Sequence, residues 1–166
     1  MADPCIQHWV VLWDYLDGNF WAVHRWAESA LSPEGVTWQP IPQVASIGWN
    51  LQHLAEMLDY YLAHFFKHRA QIATSSLVTM LSGRQDDGRF GDLSEIGQYH
   101  RKVRPAYREF LSGLTEGHLG QAVEQSARRS RTYGWAIGHI AEHESYHLGK
   151  CMLLRSLLRA RELATR

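Results

Sequence analysis

The sequence predicts an all-α fold, a four-helix bundle with long crossover connections, and three observations carry that expectation. Apolar residues recur at helical spacing through four long stretches, strand alternation is hard to find, and proline, glycine and capping residues fall where the stripes stop. The 166 residues are most simply one domain spanning 1–166, long enough to bury roughly 70% of the surface its unfolded chain exposes.

The first helix is expected to open at Asp3-Pro4, an N-cap followed by proline at the first helical position. Its apolar stripe reads Trp9, Trp13, Leu16, Phe20, Val23, Ala27 and Leu31, with Gly18 inside it as a possible bend and Ser32-Pro33 as its stop. The connection "SPEGVTWQPIPQ" holds three of the five prolines and cannot be helical throughout. A second helix is predicted from about Ser46 to beyond Phe66, with Ile47, Leu51, Leu54, Leu58, Tyr61 and Phe65 as its buried stripe. The polar segment "SGRQDDGRFG" separates it from a third helix that opens on a capping box, Asp92 with Glu95 three residues on. Pro105 lies inside this third helix and is expected to kink or split it. A second long connection, "SGLTEGHLGQAVEQSARRS", leads to a fourth helix over about Thr132 to Arg161.

Composition excludes several classes. Lysine plus arginine equals aspartate plus glutamate at 17 each, so no global field favours nucleic acid or an anionic membrane. The local excess "ARRSR" (Ala127–Arg131) reads as a solvated loop. No stretch of eighteen uninterrupted apolar residues predicts a membrane span, and the N-terminus, interrupted by Asp14 and Asp17, does not read as a secretory leader. The expected compartment is the cytoplasm. Two cysteines, Cys5 and Cys151, require no disulfide framework. Ten histidines and seven tryptophans are high for this length and suit an aromatic-walled metal or ligand pocket.

Two passages concentrate those residues. "GWNLQHLAE" (Gly48–Glu56) and "GWAIGHIAE" (Gly134–Glu142) repeat Gly, Trp, His, Ala and Glu in register, as if a two-helix unit were duplicated and presented equivalent faces to one centre. "GHIAEHESYHLGK" (Gly138–Lys150) carries His139, His143 and His147 four apart and spells H-E-x-x-H, the helical zinc-protease signature. Residues four apart share a helix face about 6 Å apart along the axis, whereas eight apart is about 12 Å, too far to share an ion. The ligand pair is therefore His139/His143 or His143/His147, and His53, beside the apolar stripe of the second helix, is the natural third ligand. The protease reading fails on context. The long metzincin form needs glycine and histidine where Lys150 and Leu153 stand; the gluzincin form needs a glutamate on a following helix, and Glu162 lies on the same one. His8, His24, His64, His68, His100 and His118 are expected at the surface.

These residues resemble the DinB-like (DinB/YfiT) superfamily of four-helix metal proteins. "VTWQPIPQVASIGWNLQHLAEMLDYYL" (Val36–Leu62) is similar to the family's loop and second helix, "HIAEHESYHLGK" (His139–Lys150) to its C-terminal motif, and the four-helix spacing covers the whole chain. Lys150 stands where glutamine is common. By position, the resemblance implies His53, His143 and His147 as metal ligands and makes His139 a neighbour. It implies a nickel, zinc or iron ion, a choice that three imidazoles leave open. It also implies reactions that range over thiol-dependent transfer, isomerisation and hydrolysis.

Three imidazoles leave coordination positions for a reactant, as in catalytic sites. Glu56, Glu142 and Glu144 are the near-site carboxylates, able to orient a ligand imidazole, act as a base or form solvent-facing ion pairs. Trp49, Tyr60, Trp135 and Tyr146 are expected to wall the pocket or pack in the core. The leading expectation is a metal-dependent enzyme on a small molecule, a low-molecular-weight-thiol S-transferase; a hydrolase and a non-catalytic metal-binding stress protein are the alternatives. A homodimer through an exposed bundle face is expected, with neither nucleic acid nor membrane as partner.

Overall fold

Asp3 opens the chain's first helix by turning its carboxylate back on the backbone, Oδ1 accepting the Cys5 N–H at 3.0 Å. A computed structural model describes residues 3–72, 86, 88, 90–126 and 129–164, with the side chains of residues 124–126 and 129–130 outside that set. Helix α1 spans Pro4–Ala30 and buries Ile6, Val10, Trp13, Leu16, Phe20, Val23 and Ala27. Of the expected stripe, Trp9 is half-buried beside this row and Leu31 is the C-cap; Ile6 and Val10 supply the missing rungs. Ser32 then caps a single short helix, α2 (Pro33–Thr37), within the proline-rich connection.

Helix α3 spans Ile47–Tyr60, its N-cap Ser46 accepting the Trp49 N–H at 3.3 Å, and all six expected stripe residues are buried. It continues into a π-helical turn, Tyr61–Phe65, closed by the Phe66 N–H on the Tyr61 carbonyl at 2.8 Å. Helix α4 spans Leu93–Ser112 behind the expected capping box of Asp92 and Glu95. Pro105 does not split it: the proline lies on the exposed face, where water can serve the carbonyl left without an N–H. A short helix α5 (Glu116–Leu119) precedes a hairpin of β1 (Ala122–Ser126) and β2 (Arg129–Thr132), antiparallel, with Gln125 opposite Ser130. The hairpin corrects the reading of this connection as loop: residues 129–131 of "ARRSR" lie in β2, while Ala127 and Arg128 are outside the described residues. Of "SGRQDDGRFG", only Asp86, Gly88, Phe90 and Gly91 are described. Helix α6 spans Tyr133–Ala164.

The long helices form a four-membered ring. Helices α1 and α3 each pack on both α4 and α6, so α1 and α3 are diagonal, as are α4 and α6. Side chains inside this ring fall into two apolar clusters, one around Val10, Trp13, Leu62, Tyr107 and Ile140, the other around Phe20, Leu51, Leu54, Leu148 and Leu154. A charged group lies between them. Arg104, 1% exposed, holds Asp17 and, at 3.1 Å, Glu144, with its guanidinium 4.5 Å from the Trp13 ring and 4.4 Å from that of Phe20.

Two histidines expected at the surface are core residues. His24 and His100 are each 0% exposed, and their Nε2–H groups donate at 2.8 Å to the carbonyls of Leu93 and Leu51. His8, His64 and His68 are exposed, while His118 is half-buried and caps α5. Cys5 and Cys151 are both free, and burial pushes the Cys151 thiol up to about 12, leaving it unreactive. Among the described residues no helix is long and apolar enough to cross a membrane.

Candidate metal centre

The face shared by α3 and α6 carries three imidazoles that meet. His53 from α3 and His143 and His147 from α6 each offer a ligand nitrogen, and these nitrogens lie within 4.8 Å of one another. His53 Nε2 and His143 Nε2 are 3.2 Å apart. Two nitrogens on one ion at bonds of about 2.0–2.1 Å would stand roughly 2.8–3.4 Å apart for angles between a right angle and tetrahedral. The three-imidazole donor set, and the spacing of the His53–His143 pair, therefore fit a divalent cation. The imidazoles belong to the residue pair one turn apart on α6 that includes His147, and His139 is excluded from the group.

Each ring is held from behind. Trp49, 3% exposed, stacks on His53 with ring centres 4.6 Å apart and planes 16° off parallel. His147 donates its Nδ1–H to Asn50 Oδ1 at 2.6 Å, while the Asn50 amide donates to the carbonyls of Ala45 at 3.0 Å and Ser46 at 2.7 Å. The amide is thus fixed at both ends, and it selects the His147 tautomer whose Nε2 lone pair is free to bind metal. Burial, followed by the neighbouring His143, His53 and Lys150, pushes the His147 imidazole down to about 2, so it stays neutral and ligand-competent. Asn50 was not anticipated. Its signal was faint: a polar side chain on the buried side of the first turn of α3, where the repeated passage has Ala136.

A cleft of about 520 Å³ opens over the three histidines, lined also by Trp49, Met57, Tyr60, Tyr61, His139, Tyr146 and Lys150. Tyr61, placed by the π-helical turn, is buried, and its phenol is raised above the ordinary tyrosine range by that burial. Trp135 corrects the sequence expectation: it is 41% exposed and outside the cleft lining. It stacks on His139 at 5.0 Å and 16°, repeating in α6 the Trp49–His53 stack of α3, with the Arg131 guanidinium 4.0 Å from its ring. The repeated passages therefore share a local Trp–His unit, and only the α3 copy delivers its histidine to the centre.

None of the three near-site carboxylates lines the cleft. Glu144, the acid of H-E-x-x-H, is 1% exposed and turned into the bundle interior against Arg104, where burial raises its carboxyl despite the guanidinium. Glu56 is buried and accepts the Gln52 amide at 2.8 Å. Glu142 is exposed, 3.8 Å from His139 Nδ1. A protease signature needs its glutamate beside the metal-bound water, and this glutamate lies elsewhere.

Fold and centre together define a class: a helical bundle whose second and last long helices present three histidines able to hold a metal ion beside an open cleft. The chain belongs to the DinB superfamily, whose family model matches residues 20–151 and so takes in all three histidines. No curated protein matches the chain.

Proposed function

We propose that the protein is a metal-dependent enzyme acting on a small molecule, and specifically an S-transferase using a low-molecular-weight thiol. The observation that carries this reading is the pairing of a three-imidazole centre, able to leave positions for a reactant, with a 520 Å³ cleft that has no carboxylate in its lining among the described residues. A divalent metal held there would supply Lewis acidity, the chemistry that lowers the pKa of a thiol toward neutral pH. His53, His143 and His147 would hold it, and zinc, nickel and iron all suit three imidazoles.

The chain's residues then have defined tasks. Asn50 and Trp49 keep His147 and His53 in the ligating orientation. Tyr60, Tyr61 and Met57 give the electrophile an apolar wall. The sulfur lone pair forms the new carbon–sulfur bond as the bond to the leaving group breaks and its electrons depart with that group; the thiol proton passes to solvent. Metal-dependent hydrolysis is the second reading, and the turning of Glu144 away from the cleft weighs against its carboxylate-assisted form.

The test is elemental analysis of purified protein, followed by conjugation of a fluorogenic electrophile with a panel of small thiols. Stoichiometric divalent metal, lost in H53A, H143A and H147A together with conjugation, is the expected result. A tightly held ion with neither thiol conjugation nor ester hydrolysis would move the protein to the non-catalytic class.

A further inference from the structure

Resting on the functional reading above, we infer that one reactant in the cleft carries a carboxylate that seats on Lys150, making this lysine a specificity-determining residue. The cleft is one-sided in charge. Among the described residues its lining includes Lys150 and His139 and no aspartate or glutamate. Three other cations that bridge elements are matched by carboxylates: Arg69 with Asp59 at 2.9 Å, Arg104 with Asp17 and Glu144, Arg108 with Asp14 at 2.7 Å. Among the described residues Lys150 has no carboxylate within ion-pairing distance; the residue is half-buried, and its ammonium lies 4.3 Å from the centre of the Tyr146 ring.

An unmatched ammonium one helical turn from a cation-binding triad is electrostatically unfavourable on its own, and an anion beside it removes that penalty. The placement also sets the ligand's shape. Lys150 follows His147 by three residues, about 4.5 Å along the helix axis. A carboxylate on Lys150 therefore leaves an atom two or three bonds away within reach of the centre. Met57, Tyr60 and Tyr61 offer apolar surface to the rest of the molecule. The geometry suits a short mercaptocarboxylate, or a carboxylate-bearing electrophile lying beside a neutral thiol.

Cobalt(II)-loaded protein, titrated with 3-mercaptopropionate and with neutral 3-mercaptopropanamide, tests this through its visible spectrum. Benzoate and benzamide serve as thiol-free competitors. Wild type should favour the acid of one pair by on the order of tenfold. K150Q should bind acid and amide alike, and K150E should favour the amide. A preference confined to the thiol pair assigns the carboxylate to the sulfur reactant, and one confined to benzoate assigns it to the electrophile; either supports the inference. Equal affinity across both pairs in wild type, or a preference that survives in K150Q, overturns it. Failure to take up cobalt would overturn the metal reading instead. Calorimetry with benzoate and benzamide on the metal-free protein would then still decide on Lys150, equal binding refuting its role.

Discussion

Replacing Asn50 by aspartate would keep an acceptor for the His147 Nδ1–H while removing both donors to the Ala45 and Ser46 carbonyls. The nominally conservative change therefore puts a buried carboxylate against two carbonyl oxygens, at a cost of about 1–3 kcal/mol for each lost buried partner. N50A removes the His147 acceptor as well. Loss of such an outer hydrogen bond typically weakens metal binding 10–100-fold, so N50A should raise the zinc dissociation constant by that factor in a chelator competition. Unchanged affinity would show that His147 needs no orienting group. Glu144 makes a complementary case. In a protease it would be the base; here it neutralises Arg104 inside the bundle. E144A should cost roughly 3–5 kcal/mol by leaving a buried cation short of a partner, yet retain one metal per chain once folded at low temperature. Residues of this kind set the limit of what single-sequence reading can reach. The histidines were legible because i, i+4 spacing is intrinsic to one helix and the family resemblance chose the pair. Asn50, His24 and His100 were not, since their partners lie on other elements or in loops that only the folded chain brings near.

At the scale of elements, α1, α3, α4 and α6 were legible because each carries its own record of burial every three or four residues, with caps written in local side chains. The hairpin was not. Its strands, "AVEQS" and "RSRT", are short and polar, so neither shows the apolar alternation that marks a half-buried strand. The π-helical turn was equally hidden, since its one-residue excess leaves the apolar stripe of α3 intact through Phe65. How α3 is seated on its surroundings yields a prediction. A Cβ on Gly48 would stand 2.2 Å from Phe90 Cε2 and 2.8 Å from both Phe90 Cζ and Val36 Cγ1. Alanine gains about 0.5–1 kcal/mol over glycine inside a helix. Overpacking against a ring and a branched side chain costs more, typically about 1–3 kcal/mol. G48A should therefore lower the melting temperature, by roughly 2–4 °C per kcal/mol of net loss in a chain of this size. A melt unchanged or raised would mean that Phe90 does not close on the first turn of α3 in solution.

At the scale of the whole molecule, the helix count was readable but the ring order was not, because a stripe records that a face is buried and not against which neighbour. The order matters for pH. His100 reaches from α4 to the Leu51 carbonyl of α3 at 2.8 Å, packed on Phe20 of α1 with ring centres 3.8 Å apart. Three of the four long helices thus share one imidazole. Burial, followed by the charge of Arg104, holds it well below its ordinary value of 6.5; the Leu51 carbonyl opposes this and His24 adds to it. The sign follows from proton counts. Above 6.5 both folded and unfolded chains carry a neutral imidazole, and His100 makes stability independent of pH. Below 6.5 the unfolded chain takes up a proton that the folded chain refuses, so stability falls with pH by up to about 1.4 kcal/mol per unit until the folded value is reached. Urea unfolding at pH 7.5 and 5.5 should show a lower midpoint at the acid pH, with the metal chelated in both samples to keep the three-histidine centre from contributing through ligand binding. H100Q, which preserves a donor toward Leu51, should lower stability at pH 7.5 yet flatten the decline between the two values by up to one proton's worth. A decline equally steep in H100Q would assign the acid sensitivity to other groups and remove His100 as the site where the three helices register acid.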